Sequence, residues 1–330
     1  MAGDKKLLQV KDLLVSYKVY EGLLRVLNGV NLCVREGERV GLIGETGCGK
    51  TTILKTIVMI VPMPPARLEG GVVFFKGTDI HRDRKAGIRS VRKGVSMILQ
   101  DPTAALNPTL SVRTFMADVL KGKSQRMSKA ERNSLMQEAL EKVAMPFPER
   151  VLDSYPVQLS GGMRQRVCIA LALLKDVDLL LADEPTTSLD VTIEEQILEL
   201  LNDLIQGSKK STILVSHALG AIRKMTDRVY VMYAGDIAES GPAEALFEQP
   251  FHPYTRGLFA ATPRLTGAGI SDGIAGEIPS YLYPPRGCRF SPRCPERMPI
   301  CDEEKPPVFQ PQEQREVSCH LYASLTKSES

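Results

Sequence analysis

The chain has 330 residues, 43% of them hydrophobic and 25% charged, enough for a buried core and more than one domain. Its 42 basic and 39 acidic residues leave a net charge of only +3, which gives no wholesale electrostatic case for nucleic acid. The richest apolar stretches, around Ile57–Val61 and Val177–Ala182, are far shorter than the roughly 20 residues that cross a bilayer, so any membrane role must come through a partner.

The start, Met1 to Lys6, lacks the apolar core and cleavage site of a secretory signal, and the chain is expected to stay in the cytoplasm. Leu7–Tyr17 alternates as a strand does, and Leu27–Val34 is a second strand before a turn at Glu36-Gly37-Glu38. Together they predict an antiparallel sheet edge. Arg39–Gly44 is a short apolar strand that runs into Gly44-Glu45-Thr46-Gly47-Cys48-Gly49-Lys50-Thr51 and a helix from Lys50. That run fits the phosphate-loop pattern in full, in the strand-loop-helix context that separates it from a bare glycine turn. Its glycines let the backbone wrap phosphates, Lys50 contacts the terminal phosphates, the Thr51 hydroxyl coordinates Mg²⁺, and Thr52 caps the early turn. Cys48 reads as a tolerated small residue rather than a redox sensor, although a helix N-terminus can lower a thiol pKa.

Between Asp101 and Leu174 the chain reads mostly helical, with an amphipathic stretch at Ser128–Val143 and breaks at Pro146, Pro148 and Pro156. Near its end lies Leu159-Ser160-Gly161-Gly162-Met163-Arg164-Gln165-Arg166. A serine and two glycines at the mouth of a predicted helix offer N–H groups and a hydroxyl to an anion. Leu179–Ala182 is an apolar strand that ends in Asp183-Glu184-Pro185. Such an end alone is commonly a solvated acidic turn; below a phosphate loop it reads as a metal-and-water site, with Asp183 on Mg²⁺ and Glu184 as general base. Strands at Thr212–Ser216 and Arg228–Tyr233 alternate with helices, as a mainly parallel sheet requires. From about Gln249 prolines, arginines and cysteines become frequent, which sets domains at 1–248, with a helical subdomain at about 101–174, and 249–330. Thr326–Ser330 reads as a frayed end.

Of the seven cysteines, Cys33, Cys48 and Cys168 are scattered, while Cys288, Cys294, Cys301 and Cys319 crowd the tail. In a reducing compartment the tail set suggests metal before disulfide, and its spacing leaves zinc, an iron–sulfur cluster and plain buried thiols all open.

The octapeptide at Leu159, the phosphate loop and the acidic strand end, in this order, resemble the motifs of ATP-binding cassette ATPases over roughly residues 7 to 245. The resemblance implies an α/β P-loop cassette with an antiparallel β subdomain and a helical subdomain, here followed by a small Cys-rich C-terminal lobe. It implies that Tyr17 stacks on adenine and that Gln100 senses metal and water. Ser160, Gly161 and Gly162 then grip the ATP of a facing subunit, Ser188-Leu189-Asp190 crosses the dimer seam, and His217 contacts the γ-phosphate. Hydrolysis of ATP between two facing cassettes is the implied activity. One departure is Ala218, where the family often has an aspartate that supports the histidine.

Met163 within the octapeptide, the run Gln100–Val112, and His252-Pro253-Tyr254-Thr255-Arg256-Gly257-Leu258 look like the ATPases of dipeptide and oligopeptide importers. That branch implies a four-iron, four-sulfur cluster on Cys288, Cys294, Cys301 and Cys319, structural in role, with zinc as the alternative. It implies two transmembrane permease subunits, an identical or paralogous ATPase partner, an extracytoplasmic binding protein acting indirectly, and a place on the cytoplasmic face of the membrane. The same branch also serves nickel and sugars. A soluble cassette acting on nucleic acid or ribosomes is the reading from another class; the single phosphate loop, the absence of sustained heptads and the near-neutral charge disfavour it.

Overall fold

The computed structural model describes residues 5–121, 127–187, 189–208, 210–261 and 273–327. The chain divides into two compact units, residues 1–91 with 214–330, and residues 92–213. The first unit begins with β1 (Lys6–Val19) and β2 (Gly22–Arg35), an antiparallel pair closed at Val19 and Gly22. Leu8, Val10, Leu13 and Val15 are buried from β1, and Lys11 and Asp12 are exposed. Next come β3 (Arg39–Ile43), α1 (Lys50–Ile57), β4 (Ala66–Phe75), β5 (Thr78–Asp79) and α2 (Arg84–Gly94), with sheet order β2-β1-β4-β5. Strand β4 was not singled out from sequence; a Gly-Gly pair such as Gly70-Gly71 in its middle ordinarily favours a turn. Gly71 instead occupies a left-handed conformation (φ +82°) where the register with β1 shifts between Lys11 and Leu14. A side chain there would strike the Asp12 carbonyl, so glycine marks a bulge in this strand.

The second unit runs through β6 (Val95–Ile98), α3 (Pro102–Ala105), α4 (Val112–Leu120), α5 (Lys129–Lys142), α6 (Pro148–Leu152), α7 (Gly161–Leu174), β7 (Leu179–Asp183), α8 (Val191–Gln206) and β8 (Ser211–Val215), where the chain passes back to the first. Local capping explains where these helices start. Ser111 accepts from the Thr114 N–H, and Ser128 and Glu131 form a reciprocal box that satisfies two helix-end donors of α5. Every residue of β7 is buried, and β7 pairs in parallel with β6 from Val95–Leu179 to Ile98–Ala182.

In the first unit the chain continues as α9 (Leu219–Met225), β9 (Arg228–Tyr233), β10 (Asp236–Pro242), α10 (Ala243–Glu248), α11 (Pro253–Ala260), α12 (Ile300–Glu303), β11 (Phe309–Gln312) and β12 (Arg315–Val317). Strand β9 lies parallel to β3, and β10, β12 and β11 then add antiparallel neighbours. The strands expected to lie parallel, β7 and β9, do pair in parallel with β6 and β3, and the antiparallel neighbours come from strands not read in the sequence. The terminal stretch read as frayed enters within a 3₁₀ helix, His320–Lys327; residues 328–330, like 1–4 at the start, lie outside the described residues. No helix among the described residues is long and apolar enough to cross a membrane.

The tail packs through Phe251, Phe309, Val317 and Cys319, with Leu321 and Tyr322 against them. Beside this cluster a salt bridge is almost wholly buried: Arg315 Nη2 meets Glu239 Oε1 at 2.7 Å, the side chains being 2% and 0% exposed. Arg315 also donates to the carbonyls of Ala245 (3.0 Å) and Gln249 (2.6 Å) and lies 3.9 Å from the centre of the Phe251 ring. Glu239 accepts from the N–H groups of Phe251 and His252. Glu239 and the two terminal nitrogens of Arg315 thus keep hydrogen bonds of the kind a buried pair needs, while the buried Arg315 Nε has no partner.

His252 caps α11, its Nδ1 accepting from the Tyr254 N–H at 3.0 Å. Burial, reinforced by the Arg256 charge and opposed by a hydrogen bond with the Ser318 backbone, pushes its pKa from 6.5 to about 3. The folded protein therefore holds a neutral ring. Its stabilising contribution is complete above about pH 6.5 and is lost as pH falls toward about 3, at roughly 1.4 kcal/mol per pH unit. Asparagine caps without titrating, so His252→Asn should lose about 2–3 kcal/mol less stability than the wild type between pH 6.5 and pH 4.5 in urea unfolding. Parallel losses in the two proteins would refute the assignment.

Candidate nucleotide site

In the first unit, β3 delivers the chain into the phosphate loop at Gly44, whose φ of +152° and whose proximity to the Met232 carbonyl leave no room for a side chain. Gly49, at φ +110°, is similarly confined by Met232 Cε and Leu27 Cδ2. The two glycines let the loop fold over Lys50, which is 3% exposed and donates from Nζ to the carbonyls of Gly44 (2.9 Å) and Glu45 (3.1 Å). Glu45 is half-buried, Thr46 and Gly47 form the exposed rim, and Thr51 and Thr52 lie on the first turn of α1. Gly49 is the N-cap of α1 and no side chain caps it, so Thr52 does not take the expected capping part; its carbonyl accepts from Thr56 Oγ1 at 2.7 Å. Burial raises the Cys48 thiol pKa, and the Lys50 charge only partly opposes this. A buried neutral thiol suits a packing residue.

Tyr17 is half-buried on β1, opposite Leu24 of β2 and Ala66 of β4. His217 is exposed after β8. The next residue, Ala218, is the N-cap of α9 without a side-chain bond, and its own N–H donates to Ser216 Oγ at 3.0 Å.

In the second unit, β7 ends with Asp183, 2% exposed, and Glu184, 8% exposed. Glu184 has a left-handed backbone (φ +45°), uncommon for a residue with a side chain and the kind of local strain that clusters at active sites. Its Oε2 accepts from Gln100 Nε2 at 2.8 Å and from Thr187 Oγ1 at 3.1 Å. The parallel register explains the first bond, since Gln100 and Glu184 each lie two residues beyond the Ile98–Ala182 pair. Thr187 was not singled out from sequence; its only signal is a hydroxyl three residues after the acid in a turn. The hydroxyl, amide and carboxylate oxygens of Thr51, Gln100 and Asp183 are of the hard donor type that suits Mg²⁺.

Ser160 is the N-cap of α7, its Oγ accepting from the Met163 N–H at 3.2 Å, and Gly161 and Gly162 open the helix. A side chain at Gly162 would come within 2.9 Å of Ile193 Cγ2, so this glycine also allows α7 to approach α8. Asp190 caps α8 by accepting from the Ile193 N–H at 3.1 Å. Ser188 lies outside the described residues.

Comparison with known proteins bears on this arrangement. The ABC transporter family profile matches residues 27–187, and that of the oligopeptide/dipeptide transporter C-terminal region matches residues 238–301. The dipeptide transport ATP-binding protein DppD of Bacillus subtilis is 41% identical over 320 residues, covering 96% of this chain and 95% of its own length. The chain belongs to the ABC transporter ATP-binding proteins, in their oligopeptide/dipeptide branch. The oligopeptide transport ATP-binding protein OppD of Bacillus subtilis is 42% identical over 307 residues, covering 92% of this chain and 86% of its own, and that of Salmonella typhimurium is 41% identical over 305, covering 91% and 89%. Among solved structures, a dimeric ATP-binding cassette in a post-hydrolysis state, bound to ADP and Pi, superposes with a TM-score of 0.64 at 28% identity, covering 72% of this chain and 98% of that one. The cassette ATPase fold and ATP as its nucleotide follow from this membership.

The iron–sulfur cluster expected on Cys288, Cys294, Cys301 and Cys319 is overturned, and zinc with it. Among the described residues no group of three or more His, Cys, Asp or Glu is placed to hold a metal ion, and the relatives are named as ATP-binding proteins alone. The four are free cysteines. Burial pushes Cys288 up to about 12 and Cys319 up to about 11, and raises Cys294, which keeps these thiols protonated at neutral pH. What pins the tail is packing and charge: the Arg315–Glu239 pair, the Phe251 cluster, and Arg289, whose Nη1 donates to the carbonyls of Arg25 and Ala234. Buried arginines do there what metal was expected to do.

Proposed function

We propose that this chain is the ATPase subunit that energises import of dipeptides and oligopeptides through separate permease subunits, working as a pair of facing ATPase chains on the cytoplasmic face of the membrane. The observation that carries the substrate class is the match of residues 238–301 to the oligopeptide/dipeptide transporter C-terminal region. Residues 1–248 form the ATPase domain in this reading and 249–330 the C-terminal domain. Thr51, Gln100 and Asp183 would hold Mg²⁺, which when bound with ATP would neutralise the phosphate charge. Lys50 binds the terminal phosphates and Glu184 takes the proton of the attacking water. Gln100 orients Glu184 through its 2.8 Å bond, His217 contacts the γ-phosphate, and Tyr17 stacks on adenine. Ser160, Gly161 and Gly162, with Asp190, serve the ATP of the facing chain.

Reconstitution with the permease subunits of its transporter tests this function. Short peptides with their binding protein should stimulate ATP hydrolysis severalfold, and nickel or sugars should not. Stimulation by nickel or a sugar alone would reassign the substrate.

A further inference from the structure

The phosphate loop is held by more than its own strand and helix, because three side chains of the C-terminal region reach it. Tyr254, on the first turn of α11 and fully buried, accepts the Glu45 N–H on its hydroxyl at 2.9 Å. The Tyr281 hydroxyl donates to the Gly47 carbonyl at 2.8 Å. Arg293 Nη1 pairs with both carboxylate oxygens of Glu45, at 2.9 and 3.2 Å, while its other nitrogens donate to the carbonyls of Ala275 (2.9 Å) and Ile274 (2.8 Å). The Tyr254 ring packs in a cluster with Tyr233 and Phe290, with centroids 4.6 and 5.5 Å away, which holds its hydroxyl in place.

Peptide planarity turns these contacts into orientation. Across a trans peptide the C=O and N–H point opposite ways. Holding the Glu45 N–H toward Tyr254 therefore directs the Gly44 carbonyl the other way, and that carbonyl is where Lys50 Nζ binds at 2.9 Å. Holding the Gly47 carbonyl toward Tyr281 likewise directs the Cys48 N–H away from it, onto the Glu45 carbonyl at 3.2 Å. The Gly235 N–H on the Cys48 carbonyl, at 2.9 Å, sets the following peptide. Glycine-rich backbone loses much conformational freedom on ordering, and a brace already in place removes part of that loss from the binding step.

We infer that Tyr254, Tyr281 and Arg293 are positioning residues for ATP: the C-terminal region pre-sets the peptide orientations of the phosphate loop, so nucleotide affinity depends on it and turnover of bound nucleotide does not. The inference rests on the ATPase reading above. It is tested on the full chain by measuring the Kd for ATP, together with kcat at saturating ATP, for the wild type, Tyr281→Phe, Tyr254→Phe and Arg293→Met. Each variant should bind ATP about three- to tenfold more weakly, with kcat at saturation within about twofold of wild type. Arg293→Met combined with Glu45→Gln should weaken binding by less than the product of the single effects. Arg297→Met, which removes an exposed pair with Asp302 in the same region, should bind as the wild type does. Tyr281→Phe keeps its ring and folds even if Arg293→Met does not. Unchanged Kd in folded Tyr281→Phe, an equal loss in Arg297→Met, or a fall in kcat without a change in Kd overturns the inference. Failure of the wild type itself to bind ATP would instead overturn the ATPase reading.

Discussion

Glu184→Gln should lower ATP turnover by about a hundredfold to ten-thousandfold while leaving ATP binding intact, the range expected when a positioned general base is lost. Glutamine has the same length and retains an oxygen for the Thr187 hydroxyl, now 3.1 Å from Oε2. It also inherits the same left-handed backbone, so the strain at this position is common to both proteins and cancels in the comparison. What disappears is the negative charge that draws a proton from water. With cleavage blocked and the phosphate contacts retained, two chains should stay closed around ATP, and the variant should elute as a dimer with ATP. Phosphate-release assays and size-exclusion chromatography read the two results. Turnover close to wild type would remove Glu184 from the chemistry.

Arg315→Met should destabilise the protein by about 3–5 kcal/mol, because it leaves the Glu239 carboxylate buried without its cation. The carboxylate is 0% exposed and would keep only the N–H donors of Phe251 and His252. Methionine fills part of the space beside the Phe251 ring, so the loss is chiefly electrostatic. Adding Glu239→Gln to Arg315→Met should recover part of the stability by removing the stranded charge, an outcome that simple loss of packing would not give. Urea unfolding at pH 7 of the wild type, the single variant and the double variant checks both signs.

The phosphate loop was legible because glycine, lysine and threonine at fixed spacing carry their geometry with them, and the acidic end of β7 because four apolar residues, Leu179–Ala182, precede two carboxylates. Gln100 was nameable only through resemblance, since its bond to Glu184 depends on a strand register that no local pattern displays. Strand β4 was not singled out, and its Gly70-Gly71 has the look of a turn and the function of a bulge. The tail misled for a different reason. Its cysteines are conspicuous, whereas Arg289, Arg293 and Arg315 look like ordinary surface charges, and arginine is seldom found buried unless it is paired. Which arginine is paired, and with what, is set by tertiary contacts with residues as distant as Glu45 and Glu239.

The cap of α7 carries a consequence for how this helix end meets an anion. A serine hydroxyl has one proton to give and two lone pairs to receive with. Ser160 spends only its receiving capacity on the Met163 N–H, and rotation about the C–O bond can aim its proton elsewhere. Aspartate caps a helix as well as serine does but brings acceptors alone, and in the role proposed for this position it would set like charge against phosphate. Good capping and anion recognition thus ask different things of one atom, and a hydroxyl meets both.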